Sequence, residues 1–211
     1  MRPVIIICGP AGVGKTTVAK ALLKTFPSLR ASVTFTTRQP RRKSTEDKKM
    51  YYVSVPEFLR RRDQGEFLEW ALVHGDYYGT HKVEIQRILK NHPIIFNIDV
   101  QGAEQLKKIF GKQCTTIFLL PQNHEQMVDH IKNRGEMTQG SFRARLKSAE
   151  IELAKKNHFD HQIINAESKL SQTIDKIAKI IKPILLNKRQ PKPTAKRLNV
   201  WPAKTLTKNQ K

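Results

Sequence analysis

Residues Gly9-Pro10-Ala11-Gly12-Val13-Gly14-Lys15-Thr16 fit the pattern G-x-x-x-x-G-K-[ST], and their flanks narrow the folds open to the chain. The run at 4–8 before them is unbroken apolar sequence, as a strand buried on both faces would be. The stretch at 17–23 after them reads as helix. Strand, glycine loop, helix is the setting that turns a pattern match into a phosphate loop. The glycines let the backbone curl so that successive N–H groups point at one anion, and the helix N-terminus adds its partial positive charge. Lys15 is expected to neutralise β- and γ-phosphate oxygens and Thr16 to offer its hydroxyl to Mg²⁺, with Thr17 next in the helix. A nucleoside triphosphate is the expected ligand.

Further apolar runs at 94–99 and 115–120 predict buried strands of the same kind, with a short one at 161–165. Helices are expected at about 82–91, 101–110, 122–133 and 142–157, with a polar connector at 135–140. In a last helix Leu170, Ile174, Ile177, Ala178 and Ile181 recur at helical spacing, and Pro183 is expected to end it. Strands alternating with helices predict an α/β fold, a parallel sheet with helices on both faces. Residues 32–80 break the alternation. Short β segments are expected there at 32–35, 51–53 and 67–73, with an edge segment at 77–80. Ser54-Val55-Pro56-Glu57 reads as a capping box opening a helix between them. The core is thus expected at 1–31 and 81–186, with 32–80 as an insertion folded over the site.

The formal charge of +21 exceeds what a nucleotide site needs. Residues 187–211 carry eight Lys/Arg, three prolines and no acid, a composition that predicts a disordered tail. Two readings of that tail stay open: contact with nucleic acid or an anionic membrane surface, or a solvated terminus. No stretch approaches the ~18 consecutive apolar residues of a membrane span. The apolar run at 4–8 is too short for the core of a signal peptide. Cys8 and Cys114 stand in strand-like apolar runs, so reduced buried thiols are expected rather than a disulfide. A cytoplasmic location follows as the expectation.

Four more motifs stand beyond the phosphate loop: Thr36-Thr37-Arg38-x-Pro40-Arg41, Gly65-Glu66-Phe67-Leu68-Glu69-Trp70, Gly75-x-Tyr77-Tyr78-Gly79-Thr80 and Ile98-Asp99-Val100-Gln101-Gly102. In this order and spacing the chain resembles guanylate kinases over about residues 2–181. The resemblance implies a P-loop NTPase-type parallel sheet core flanked by helices. It also implies a small β-rich insertion that binds the nucleoside monophosphate and a lid at about 134–145. The implied reaction is phosphorylation of GMP, and of dGMP, by ATP with Mg²⁺, releasing ADP.

The residues themselves agree with that chemistry. Arg38 and Arg41 are three apart across a proline-stiffened turn, so two guanidinium forks can converge on one phosphate; two solvated arginines is the other reading. Glu69 stands on an otherwise apolar strand and can accept from N1–H and the 2-amino group of guanine, or can be a sheet-edge glutamate facing water. Asp99 ends a buried strand where open α/β sheets hold ligands, and can equally cap the helix that follows. By resemblance Asp99 lies near the acceptor and the metal's hydration shell. Likewise Tyr78 lies near the acceptor phosphate with Gly79 beside it, Thr34 and Thr80 contact the base, and Asn165 reaches the adenine of ATP. The lid arginines are Arg134, Arg143 and Arg145, closing on the transferring phosphoryl group.

Three positions depart from the family pattern. Met50 stands where a tyrosine hydroxyl binds the acceptor phosphate, with Tyr51 as the substitute if the loop shifts by one. Asn97 stands where many relatives have an acid, and His130 replaces a lid arginine. Two rival readings are a guanylate-kinase-like ribose 1,5-bisphosphate kinase and a non-catalytic interaction domain. Glu69 in its motif argues against the first, and intact Lys15 and Thr16 against the second.

Overall fold

The computed structural model describes residues 2–40, 50–133 and 138–186. Strand β1 (Val4–Cys8) is buried along its whole length, and its side chains alternate between two cores. Val4, Ile6 and Cys8 pack with Phe96, Leu106, Phe110 and Phe118 on one face. Ile5 and Ile7 pack with Val18, Leu22, Ile174 and Ile177 on the other. A strand apolar on both sides needs a sheet covered on both sides. Accordingly β1 pairs in parallel with β7 (Ile94–Asn97) and β8 (Cys114–Pro121). With β2 (Arg30–Ala31) and β9 (His161–Asn165) the sheet order is β2-β7-β1-β8-β9, all parallel. Helices α1 (Lys15–Thr25) and α7 (Leu170–Leu186) supply one covering layer. Helices α3 (Lys82–Asn91) and α4 (Val100–Phe110) supply the other. Because the strands run one way, the carboxyl ends of β1, β7, β8 and β9 share a single edge.

The strand β2 was not expected. Its two residues carry no alternation to read, and they join the sheet edge through Arg30 N–H to the Pro93 carbonyl, 2.9 Å, and Ser32 N–H to the Ile95 carbonyl, 3.0 Å. Pro183 was expected to end the last helix, but it lies inside α7. A mid-helix proline costs a backbone hydrogen bond and crowds the preceding turn. The apolar stripe continues past it, with Ile177 and Ile181 fully buried and Leu185 packed on the same core, so burial carries the helix through. Helix α6 (Gln139–Ala154) begins earlier than the expected 142, because the Thr138 hydroxyl accepts from Ser141 N–H as an N-cap. It packs on α5 (His124–Lys132) through Met127, Ile131 and Ala149.

Residues 34–81 form a second sheet of order β4-β3-β6-β5, from β3 (Thr34–Thr36), β4 (Met50–Tyr52), β5 (Phe67–Val73) and β6 (Asp76–His81). The stretch expected as an edge, 77–80, is therefore interior: β6 pairs antiparallel with β3 on one side and β5 on the other. Helix α2 (Val55–Asp63) covers one face, where Phe58 stacks on Phe67 and Tyr77 at 4.5 and 5.3 Å. Only half of the expected capping box forms. Ser54 accepts from Glu57 N–H, while the Glu57 carboxylate turns to Arg60 and Arg61.

Candidate active site

The phosphate loop follows β1 at the carboxyl edge of the parallel sheet, and close contacts hold its backbone. Gly9, at φ +139°, lies so near β8 that an added Cβ would come within 2.5 Å of the Leu119 carbonyl oxygen. Gly14 adopts a left-handed conformation, φ +84°, and caps α1, with the Asn165 amide against the place a Cβ would fill. Asn165 Nδ2 donates to the Val13 carbonyl at 2.9 Å, while Oδ1 of the same amide is buried without a partner among the described residues. Gln126 holds this asparagine from behind, donating to its backbone carbonyl at 3.2 Å. His130 Nδ1 meets the Gly12 carbonyl at 2.6 Å, so the proton sits on Nδ1. Lys15 Nζ donates to the Gly9 and Pro10 carbonyls at 2.6 and 2.9 Å. Ala11 and Thr16 are half-buried, Val13 is buried and Thr17 is exposed at the first turn of α1.

Beside the loop, the end of β7 brings two more polar side chains to the same edge. Asn97 Nδ2 donates to Thr16 Oγ1 at 3.0 Å. Asp99 caps α4: its Oδ1 accepts from Gln101 N–H at 2.7 Å and Gly102 N–H at 3.1 Å. The capping role weighed from sequence is thus occupied by one carboxylate oxygen. A hydroxyl has two acceptor lone pairs, so Thr16 retains one beyond the bond from Asn97. Thr16 and Asp99 offer hard oxygen donors of the kind that suit Mg²⁺, which keeps several waters and takes few protein ligands.

The face of the second sheet away from α2 is polar because of register. Phe35 stacks on Tyr51 at 4.7 Å on the α2 side, so by alternation Thr34, Thr36, Met50 and Tyr52 point the other way. The pairings Thr34–Thr80 and Thr36–Tyr78 place Tyr78 and Thr80 on that same side. Gly79 faces α2 instead, close to Phe58 and Phe67, and is buried. In β5 the register shifts between Phe67 and Glu69. Such a bulge re-aims a side chain: Phe67 packs with Phe58, whereas Leu68 and Glu69 both meet the α4 side.

Glu69 is therefore buried, 4% exposed, and not a water-facing edge residue. Thr80 Oγ1 donates to its Oε1 at 2.6 Å. A Cβ at residue 102 would come within 2.6 Å of Glu69 Oε2, so Gly102 leaves the room this carboxyl occupies. Burial, with Asp99 pushing the same way, raises the Glu69 pKa to about 8 against the opposing Thr80 bond. Gln105 fixes this corner, donating to the Trp70 carbonyl at 2.8 Å across the α4–β5 contact.

At the far end of the face Arg38 Nη2 lies 3.5 Å from Tyr52 Oη and 3.8 Å from Met50 Sδ. Tyr51, the substitute considered from sequence, points to the opposite face and is 51% exposed. Arg41, the other half of the arginine pair, lies outside the described residues, as do Arg134, the loop at 43–49 and the tail at 187–211. Arg143 and Arg145 are on the first turns of α6, exposed and half-buried respectively. Seven residues on from Arg145, and on the same side of the helix, Glu152 reaches the phosphate loop: it accepts from the Ala11 backbone, and Lys15 and Asp99 act on its charge. Burial is the largest influence and its pKa is raised. Glu152 was missed from sequence, although its spacing from Arg145 marks it. Between α4 and α6 lies a cleft of about 400 Å³, with Gln101, Ser148 and Glu152 among its walls.

A phosphate loop at the carboxyl edge of a parallel sheet, facing a small sheet with a polar face and a buried carboxyl, defines a phosphate-loop kinase with a separate acceptor site. The sequence model described as Guanylate kinase matches residues 1–184. The guanylate kinase of Oleidesulfovibrio alaskensis is 37% identical over 175 residues, 82% of this chain and 84% of that protein. That of Prochlorococcus marinus is 37% identical over 183 residues, 86% of this chain and 98% of its own. The crystal structure of guanylate kinase from Anaplasma phagocytophilum superposes with a TM-score of 0.71 at 28% identity, covering 89% of this chain and 88% of that one. The chain belongs to the guanylate kinase family.

Proposed function

We propose that this protein transfers the γ-phosphoryl group of ATP to GMP, and to dGMP, giving GDP and ADP. The observation that carries the assignment is the buried Glu69 carboxyl at one end of a polar sheet face that has Arg38 at the other. Guanine presents two adjacent donors, N1–H and the 2-amino group, and a carboxylate accepts both; adenine offers no such pair. Thr34 and Thr80 flank that corner with hydroxyls, and Tyr78 lies on the same face. Arg38, with Arg41, would hold the acceptor phosphate.

The phosphate loop binds the donor. Lys15 now rests on loop carbonyls, and phosphate oxygens would draw it away because a charged acceptor makes the stronger hydrogen bond. The unpartnered Oδ1 of Asn165 suits a donor such as the exocyclic amino group of adenine, since buried acceptors are seldom left unpaired. Thr16 would hold Mg²⁺ directly and Asp99 through water, and the ion would neutralise charge on the β- and γ-phosphate oxygens. Phosphoryl transfer needs no protein nucleophile, so the chain contributes position and charge. Lys15, Arg143 and Arg145, with Arg134, would stabilise the charge spread over the transferring group.

The same proposal divides the chain into a core at 1–31 and 81–186, an acceptor-binding insertion at 32–80, a lid at about 134–145 and a basic tail at 187–211, the candidate segment for contact with nucleic acid or an anionic membrane surface. Among the described residues no helix is long and apolar enough to cross a membrane, and the proposed location is the cytoplasm. The test is turnover of ATP·Mg²⁺ against GMP, dGMP, AMP, CMP, UMP and ribose 1,5-bisphosphate, with Lys15→Ala as control. GMP and dGMP should turn over and the rest should not. No GMP turnover above the Lys15→Ala background refutes the assignment.

A further inference from the structure

Tyr52 has no part in the functional reading taken from sequence, and its position gives it one. Strand β4 alternates, so Tyr51 turns under the sheet to stack on Phe35 at 4.7 Å while Met50 and Tyr52 rise on the polar face. There the Tyr52 hydroxyl, the Arg38 guanidinium and the Met50 sulfur form one cluster. Arg38 Nη2 lies 3.5 Å from Tyr52 Oη, and Tyr52 Oη lies 3.7 Å from Met50 Sδ. The guanidinium carbon also sits 5.8 Å from the centre of the Tyr52 ring, within reach of a cation–π attraction. Thr36, the strand partner of Tyr52, accepts from Arg38 N–H at 3.2 Å and so sets the point from which the arginine leaves the strand. The cluster is three strands away from Glu69 in the order β4-β3-β6-β5, about 14 Å at the usual strand spacing. Side chains rising from both ends shorten that gap toward the length of a nucleoside monophosphate.

We infer that Tyr52 is an acceptor-phosphate ligand, its hydroxyl donating to the same phosphate that Arg38 engages. Methionine at position 50 offers no donor, and the next residue on the same face of the strand supplies one. The Arg38–Tyr52 contact is long for a hydrogen bond between these groups, whereas an anion placed between them would accept from both. Such a bond to a charged acceptor is among the stronger ones. Met50 then acts as packing beneath the pair, its thioether in contact with both partners.

The inference rests on the assignment of GMP as acceptor, and the experiment separates the two. Tyr52→Phe keeps the ring and removes only the hydroxyl; Tyr51→Phe removes the hydroxyl on the opposite face. Both are compared with the wild type by calorimetric titration of GMP and of guanosine, and by steady-state kinetics. Tyr52→Phe should weaken GMP binding about tenfold, the size expected for one lost hydrogen bond to a charged group. Guanosine affinity and the KM for ATP should stay within about twofold of wild type, and Tyr51→Phe should match wild type throughout. Loss of GMP and guanosine affinity together would make Tyr52 a structural residue and overturn the inference. GMP affinity unchanged in Tyr52→Phe would do the same while leaving the kinase assignment standing. A wild-type protein that neither binds nor phosphorylates GMP would remove both.

Discussion

Replacing Glu69 by glutamine isolates the cost of burying an acid at the guanine end of the polar face. In the folded protein its pKa rises from 4.5 to about 8: burial is the main cause, Asp99 adds to it, and the Thr80 hydroxyl opposes it. Between those two values the folded chain binds a proton that the unfolded chain has released. The stability associated with the protonated carboxyl is therefore complete below about pH 4.5 and is lost as pH rises through about 8. At about 1.36 kcal/mol per pH unit, the loss approaches 5 kcal/mol once pH exceeds about 8. For a chain of this size about 2–4 °C of Tm accompany each kcal/mol, so the effect exceeds about 10 °C. Glutamine is nearly isosteric and has no proton to lose. Thermal melts of the ligand-free wild type and Glu69→Gln should nearly coincide at about pH 5, and the variant should melt well above wild type at about pH 8.5. GMP affinity should move the other way, falling at least about tenfold, because the glutamine N–H₂ meets a guanine donor with a donor. A Tm difference that is the same at both pH values would show that Glu69 holds no displaced proton and would sink the reasoning.

Two other substitutions probe the donor half and its scaffold. Asn97→Leu removes the 3.0 Å hydrogen bond from Asn97 Nδ2 to Thr16 Oγ1, and should weaken the magnesium complex of a non-hydrolysable ATP analogue by about fivefold to tenfold with GMP affinity unchanged; equal affinity by calorimetric titration would show that Thr16 needs no such anchor. Asp160→Ala takes the acceptor from Thr116, whose N–H and hydroxyl donate to Oδ2 at 2.9 and 2.7 Å, and breaks the 2.8 Å pair with Lys107. Thr116 is fully buried, so its orphaned donors should cost about 2 kcal/mol in a urea unfolding series. Burial works to raise the Asp160 pKa, but the Lys107 and Thr116 bonds hold it below the ordinary 3.8. The contribution is thus present above about that value and lost as acid protonates the group, and a wild-type-like variant would refute the role.

What was legible in the sequence divides along a physical line. The parallel core was readable because a strand with both faces apolar, such as β1, admits few settings. A helix with an apolar stripe and a breaker, such as α3 with Pro93 beyond its end, was placed at its observed bounds. The misses are places where tertiary contacts decided what the local sequence did not. Pro183 is an ordinary helix stop, but Ile177 and Ile181 hold α7 through it. Strand β2 has too few residues for a pattern. The burial of Glu69 depends on a bulge and on Gly102, which lies on a helix 33 positions later in the chain, and no local reading of β5 contains either.

The two halves of the site also differ in how tightly sequence position is tied to chemistry. The donor half is backbone, and its shape depends on single contacts that admit no side chain, such as Gly9 against Leu119 and Gly14 against Asn165. Moving any of those glycines by one residue destroys the loop, so a fixed pattern marks it. The acceptor half is a set of side chains standing on a sheet face, and a strand repeats its facing every two residues. A functional group there can shift by two positions and still project from the same side toward the same partner. Met50 and Tyr52 show the consequence: a position-by-position reading finds a missing hydroxyl at 50 and looks to 51, the one neighbour that faces the wrong way. The hydroxyl stands at 52, beside Arg38. A loop of backbone donors is therefore fixed as a string of letters, whereas a strand-borne site is constrained by face, and departures from a pattern on a strand have to be judged at i ± 2 before they are counted as losses.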